Sequence, residues 1–180
     1  MNRLQKIVVL LDLIENLQAK GSWCGETHIQ KAAYFLQTLF KVPFGYEFVL
    51  YRYGPFSFDL SGELVRMKAD GLLQSVPTPP FGVRFHPVDE SNQLRSQFVR
   101  TRQSFEQAIG ILTDEIGNKG VKELEKLATV QYIRLGNEEK LLFEEIAEKL
   151  TELKPHIGRE EAEEAVIMFD SMKKRMTALY

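Results

Sequence analysis

Cys24 and His28 are the pair of side chains in the sequence whose types and spacing come nearest to nucleophilic catalysis. Cys24 lies just before a predicted helix, and a helix N-terminus lowers the pKa of a thiol. A lone thiol near a histidine is nevertheless more often incidental. A metal site would need His28, His86 and His156 to converge, although they are widely separated along the chain. Neither arrangement predicts a reaction.

The sequence also lacks the motifs that are typical of enzymes. It contains no Ser-His-Asp order, no nucleotide-binding glycine loop and no H-E-x-x-H motif. We therefore expect a non-enzymatic protein with no catalytic residues, no cofactor and no metal ion.

Composition points to a globular protein in a reducing compartment. The 180 residues are enough for one large or two small domains, and the single cysteine allows no intramolecular disulfide. The apolar run at residues 7–11 is too short for a membrane span or a secretion signal. These features predict a cytoplasmic protein.

Hydrophobic spacing predicts the elements of the first 90 residues. We expect helices at 2–20 and 27–41, the second opened by a Thr27 and Gln30 capping box. A strand covered on both faces is expected at 46–53, followed by a Gly54-Pro55 corner. Ser57 then caps a third helix that ends at Asp70.

Two short strands, at 72–76 and 83–88, flank a proline-rich loop and predict a hairpin that would be a wing. Beyond it, Ser91 is expected to cap a long helix at 91–116, and three more helices follow at 121–134, 138–153 and 159–178. The predicted fold is α+β and mostly helical. It comprises a winged helix-turn-helix-like core at 1–90 and a C-terminal helical bundle at 91–180, packed together as one unit.

Four aromatic residues are candidates for binding a protein partner: Tyr51 and Tyr53 at the Gly-Pro corner, and Phe81 and Phe85 on the proposed wing. Amphipathic rings are over-represented in binding interfaces. The alternative is that these rings only pack inside the fold. Burial of Tyr53 would favour that alternative.

Basic side chains provide a second candidate surface. Nucleic-acid contacts would come from Arg66 and Lys68 on the third helix, Arg84 on the wing, and Arg95 and Arg102 on the long helix. The third helix, however, also carries three acidic residues, which repel phosphate. The basic excess of residues 1–104 is modest, with 12 basic against 9 acidic side chains.

Four segments resemble one known family: IQKAAYFL at 29–36, YRYGPFS at 51–57, LEKLATVQYI at 124–133 and LKPHIG at 153–158. In order and content they are similar to the Panacea, or SocA-like, antitoxin superfamily and its YwgA-like bacterial relatives. The resemblance implies a small, non-catalytic bacterial protein with a winged-helix-like core. In many members of the family such a core binds a toxin and neutralises it or delivers it for proteolysis.

Two functions therefore remain open from the sequence. The first is a non-catalytic interaction module of antitoxin or regulatory type that binds a protein partner, a toxin or regulator. The alternative is a winged-helix DNA-binding transcriptional regulator. The long helices 91–116 and 159–178 also offer surfaces for a homodimer.

Overall fold

A computed structural model of the chain describes residues 1–79, 82–137 and 141–180. Within those ranges it is α+β and mostly helical, as expected. The elements, in chain order, are α1 (Arg3–Ala19), α2 (Glu26–Leu39), β1 (Val49–Tyr51), β2 (Gly54–Phe56), α3 (Phe58–Ala69), β3 (Leu73–Pro77), β4 (Val83–Pro87), α4 (Ser91–Gln97), α5 (Val99–Ile116), α6 (Val121–Leu135), α7 (Phe143–Leu153) and α8 (Arg159–Leu179).

Helix α1 is the centre of the core. It begins at a capping box in which Asn2 and Gln5 exchange hydrogen bonds, and it ends before Gly21, which has a φ of 86°. Every side chain from Ile7 to Ile14 is buried, because α5 packs along one side of α1 while α2 and β4 cover others. The same core includes apolar residues of α6, α7 and α8, so it runs through both halves of the chain.

Two small antiparallel sheets flank the helices. β1 pairs with β2 from Val49 opposite Phe56 to Tyr51 opposite Gly54. β3 pairs with β4 over five residues on each strand, which confirms the hairpin expected there. Helix α3 lies between the two hairpins in the chain, with Ser57 as its N-cap and Asp70 as its C-cap, both as predicted.

The prediction of one strand at 46–53 is wrong. Only Val49–Tyr51 is a strand, and Gly54 and Pro55 belong to a second strand rather than to a corner between elements. The expectation that this strand is covered on both faces is also wrong, because Val49 and Tyr51 are exposed while Gly54 and Pro55 are buried. β2 packs on α2 and α6, and β1 lies on the outer side of the hairpin.

The expected helix at 91–116 is interrupted. Phe98 has φ −119° and ψ 35°, which separates α4 from α5. Ser91 lies inside α4 and the N-cap is Glu90, so the predicted cap is wrong. The capping box at α2 is also absent: the N-cap is Gly25, and Gln30 makes hydrogen bonds elsewhere.

The last three helices match the expected order. α6 packs against α2, β2, α7 and α8, so it lies between the β1–β2 hairpin and the helix pair α7 and α8. The second of the three, expected at 138–153, begins at Phe143, and residues 138–140 lie outside the described ranges.

Candidate functional site

The turn of the β1–β2 hairpin is held against α2 and α6 at very short range. Gly54 has a φ of 84°, a conformation that favours glycine. A Cβ atom at Gly54 would lie 3.1 Å from Thr129 Oγ1 and 3.4 Å from Lys31 Cε. Both the backbone conformation and the close approach therefore require glycine at this position.

Lys31 of α2 reaches this turn from inside the protein. The residue is 1% exposed, and its Nζ donates a hydrogen bond to the Pro55 carbonyl at 3.0 Å. Burial lowers the pKa of Lys31 to about 8, and the nearby carboxylate of Glu125 partly opposes that effect. Lys31 thus fixes β2 with a buried ammonium.

Lys154, which follows α7, binds the other side of the turn. Its Nζ donates hydrogen bonds to the carbonyls of Tyr51 at 2.7 Å and Arg52 at 2.5 Å. The same ammonium lies 3.0 Å from Glu125 Oε1 on α6, and both side chains are almost fully buried. We call Lys31, Glu125 and Lys154 the buried charge cluster, in which one carboxylate faces two ammonium groups.

Gln30 attaches the segment after β2. Its amide nitrogen donates to the Ser57 carbonyl at 3.0 Å, and its amide oxygen accepts from the Ser57 N–H at 2.9 Å. Because Ser57 also caps α3, this pair links α2 to the start of α3. The four segments that carry the family resemblance therefore meet around one hairpin.

The outer face of this hairpin carries three rings in mutual contact. Tyr51 and Phe56 have ring centroids 5.5 Å apart, Tyr51 and Phe58 5.8 Å, and Phe56 and Phe58 5.1 Å. Tyr51 is 49% exposed and Phe58 is 64% exposed. We call these three residues the aromatic patch. Val65 lies two turns further along α3, on the same side as Phe58, and is also exposed.

The four predicted partner-binding residues are placed in different environments. Tyr51 belongs to the aromatic patch, and Tyr53, in the adjacent turn, is 56% exposed. Phe85 is only 8% exposed and belongs to the core, so its ring does not face a partner on the surface of the wing. Phe81 lies outside the described residues.

The five predicted nucleic-acid contacts do not form one basic face. Arg95 is 3% exposed, and its Nη1 donates to Glu15 at 2.6 Å. Arg102 donates to Asp12 at 2.8 Å, on the same helix α1. Both guanidinium groups pair with acidic residues of α1, and that of Arg95 is buried.

The other three lie around α3 and β4. Arg66 donates to Glu63 at 3.1 Å, and the Arg84 guanidinium lies 5.7 Å from the centre of the Trp23 ring. Lys68 is exposed and lines a cleft near Trp23. Among the described residues, each of the four arginines already has an intramolecular partner.

Cys24 has the opposite environment to a catalytic thiol. It is fully buried, and burial raises its pKa to about 12, so the thiolate is absent at neutral pH. His86 lies 2.9 Å from the Gln18 amide and His156 lies 3.5 Å from Glu125, so these two histidines occupy separate environments. In the described ranges no group of three or more Cys, His, Asp or Glu side chains is arranged to hold a metal ion.

Comparisons with known proteins identify no relative. No family model matches the chain, and neither a curated protein nor a solved structure shows significant similarity to it. The likeness to the SocA-like superfamily therefore stays a prediction. None of the helices within the described residues is sufficiently long and apolar to span a bilayer.

The sequence reasoning missed the buried charge cluster. Lys31 directly precedes the apolar run from Ala32 to Leu36 in α2, and this position was the available signal of burial. It also missed Phe56 and Phe58, whose rings meet Tyr51 only because the hairpin folds beside the start of α3.

Proposed function

We propose that the protein is a non-catalytic interaction module of antitoxin or regulatory type. In this proposal residues 1–90 act as a winged-helix-like core in the cytoplasm, and the aromatic patch binds a protein partner. The observation that carries the proposal is the contact among three rings, two of which are about half exposed or more. Exposed aromatic clusters mark protein interaction sites, and aromatic residues dominate the energetic centres of interfaces.

The buried charge cluster supports the proposal by making the patch rigid. Lys31 and Lys154 hold three carbonyl groups of the hairpin at Tyr51, Arg52 and Pro55. A surface that is already in its binding conformation loses less entropy on association. Burying these charges costs desolvation free energy, and their hydrogen bonds fix the hairpin that carries Tyr51 and Phe56.

Protein binding is favoured over DNA binding by the charges near α3. Asp59 in the first turn of α3 is exposed, and Glu63 and Asp70 bind Arg3. Two of the five candidate basic residues, Arg95 and Arg102, are paired with acidic side chains of α1. A positive surface for phosphate contacts is therefore weak on this side of the molecule.

Site-specific photo-crosslinking tests the proposal. A benzophenone amino acid is placed at Phe58 in the full chain, with Ile167 on α8 as a control position that is 57% exposed. We expect a discrete heterologous crosslink from position 58 that is absent from position 167 and is lost on Tyr51→Ser. Equal crosslinking from both positions, or a crosslink only to a second copy of the chain, would overturn the proposal.

A salt titration with duplex DNA tests the same proposal independently. Binding through about four phosphates would give a slope of roughly −3.6 in log affinity against log salt. We expect no measurable duplex binding at low salt. A slope of that size, abolished by Lys68→Met and Arg84→Met together, would favour DNA binding instead.

A further inference from the structure

The outer edge of β1 leaves the N–H and the carbonyl of one residue without a hydrogen-bond partner. Leu50 lies opposite Pro55 in the β1–β2 register. Because proline has no N–H group, these two residues cannot be an antiparallel pair that exchanges two hydrogen bonds. The N–H and carbonyl groups of Leu50 therefore point away from β2. In the described part of the chain no third strand lies beside β1, and neither group makes a hydrogen bond.

The outer edges of the other strands are protected. On β2, Pro55 has no N–H group, and its carbonyl is bound by the buried charge cluster. On β4, the Phe85 N–H donates to the Cys24 carbonyl, and the Phe85 carbonyl accepts from the Gln18 amide. On β3, the strand ends at Pro77, which cannot donate to a neighbouring strand. The outer edge of β1 carries neither a proline nor an internal partner.

The open edge lies beside the aromatic patch. Val49 and Tyr51, which flank Leu50, are 46% and 49% exposed. Successive side chains of a strand alternate between its faces, so these two side chains share a face, and Phe56 lies opposite Val49. Within the described residues, β2 is the element that packs extensively on β1. A strand added beside β1 would therefore carry alternate side chains onto the aromatic patch.

Charges of opposite sign lie at the two ends of this edge. Glu47 lies just before β1 and Arg52 just after it, and both residues are exposed. Neither side chain has an ion pair or hydrogen bond among the described residues. Antiparallel pairing is slightly more stable per residue than parallel pairing. An antiparallel segment begins near Arg52 and ends near Glu47, so the complementary segment has an acid at its start and a base at its end.

We propose that the protein partner adds an extended segment as an antiparallel strand beside β1. This inference rests on the proposed function and specifies how the partner contacts the aromatic patch. The partner residue opposite Leu50 exchanges two backbone hydrogen bonds with it, and the two neighbours of that residue place apolar side chains on the patch. The segment has the pattern acid, apolar, any residue, apolar, any residue, base. In strand addition, backbone hydrogen bonds supply affinity and alternate side chains supply specificity.

A labelled synthetic peptide tests the proposal by fluorescence anisotropy with the full chain. The peptide EVTVTK, blocked at both termini, has this pattern, with its first threonine opposite Leu50. We expect a dissociation constant below about 1 mM. The peptide KVTVTE places like charges together at both ends and should bind about 5-fold more weakly. A dissociation constant of EVTVTK above about 1 mM, or equal or tighter binding of KVTVTE, would overturn the proposal.

N-methylation of the peptide tests the backbone hydrogen bonds without changing the protein. A methyl group on the first threonine of EVTVTK removes the N–H that donates to the Leu50 carbonyl and should weaken binding at least about 10-fold. The matched control carries the methyl group on the second valine, whose N–H points away from β1, and should bind within about 2-fold of EVTVTK. Equal binding of the two methylated peptides would overturn strand addition.

Amide hydrogen exchange detects the same contact from the side of the protein. The Leu50 amide should exchange at least about 10-fold more slowly when the chain is saturated with EVTVTK. The Tyr51 amide, which already bonds β2, is the internal control and should change little. Unchanged exchange at Leu50 in the saturated complex would contradict the proposal.

Two replacements of Leu50 separate its N–H from its side chain. Leu50→Pro removes the outward N–H without removing a hydrogen bond to β2, and it should weaken EVTVTK binding at least about 10-fold. Leu50→Ala keeps the N–H and should weaken binding less than about 3-fold. Equal affinities of two folded variants would count against a hydrogen bond from Leu50.

The crosslinking test of the proposed function distinguishes failure of that function from failure of strand addition. A crosslink from position 58 that depends on Tyr51, combined with equal binding of the two methylated peptides, would keep the aromatic patch as the binding surface and overturn strand addition. Absence of the crosslink would overturn the proposed function and this inference with it.

Discussion

The two hairpins of this protein are stabilised in different ways. The β1–β2 hairpin has strands of only three residues, exposes Tyr51, and is attached to the core through the buried charge cluster. The β3–β4 hairpin has strands of five residues and is attached by burial of Leu73 and Phe85. Polar attachment leaves the aromatic rings of the short hairpin on the surface. The apolar attachment of the longer hairpin instead buries the ring of Phe85 in the core.

The largest loss of stability is expected on replacing Glu125, whose carboxylate balances the charges of the two lysines that bind the β1–β2 hairpin. Glu125→Ala leaves Lys31 and Lys154 buried without an acid, which should lower the free energy of unfolding by about 3–5 kcal/mol. Urea denaturation measures this change in the free energy of unfolding. Asp114→Ala breaks the exposed pair with Lys20 and should cost less than about 1 kcal/mol. Similar losses for the two variants would contradict the structural role of the cluster.

The aromatic rings of the two hairpins should respond in opposite ways. Phe85→Ala removes a core ring and should lower the free energy of unfolding by roughly 3 kcal/mol. Phe58→Ala removes a ring that is 64% exposed and should change it by about 0.5 kcal/mol. Thermal and urea unfolding provide both values. A large loss of stability at Phe58 would show that the aromatic patch is structural.

Deprotonation of the buried Lys31 at alkaline pH should increase the contribution of this residue to stability. The pKa of Lys31 is lowered from 10.5 to about 8, so between these values the folded protein releases the proton before the unfolded chain does. The contribution of Lys31 to stability therefore rises with pH in this window, by roughly 3 kcal/mol, because one pKa unit corresponds to about 1.4 kcal/mol.

The comparison with Lys31→Met isolates this contribution. Cys24, Tyr34 and Tyr46 have raised pKa values and lower stability at alkaline pH in both proteins. The stability of the natural protein relative to Lys31→Met should be independent of pH below about 8 and should increase from there to pH 10.5. A constant difference across the whole range would contradict the lowered pKa.

The smallest effect is expected from glycine replacement in the turn. Gly54→Ala meets both an unfavourable φ and the Thr129 hydroxyl at 3.1 Å, and it should lower the free energy of unfolding by about 2 kcal/mol. Gly71→Ala has a similar φ of 68° but open space around the new methyl group, so about 1 kcal/mol is expected there. Equal losses would show that the close approach at Gly54 adds nothing.

Local patterns predicted most of the helices correctly. The limits of α1 and α3 follow from Gly21, Ser57 and Asp70, which act within one turn of the backbone. Prediction failed where a side chain had a distant partner. Gln30 has the right spacing for a capping box but bonds Ser57, 27 residues away, because that pairing satisfies a buried N–H and a buried carbonyl together.

The candidate site was predicted only in part. Tyr51 and Tyr53 were singled out for their position at the Gly-Pro segment, and both are exposed. Phe85 was chosen on equal grounds but is buried, because residues alternate between the two faces of a strand and the sequence does not show which face meets the core. Arg95 on α4 and Arg102 on α5 were predicted to lie on one long helix and both pair with Asp12 of α1.

The amino-acid sequence by itself determined the mostly helical α+β class, the ends of α1 and α3 and the existence of the second hairpin, since these depend on contacts between near neighbours in the chain. Only the tertiary structure decided that two lysines and one glutamate from three separate segments share a buried space around one turn. The physical reason is that burying a charge is favourable only when its partners arrive with it. The Tyr51 and Arg52 carbonyls that bind Lys154 lie about 100 residues from it in the chain and meet it only after folding.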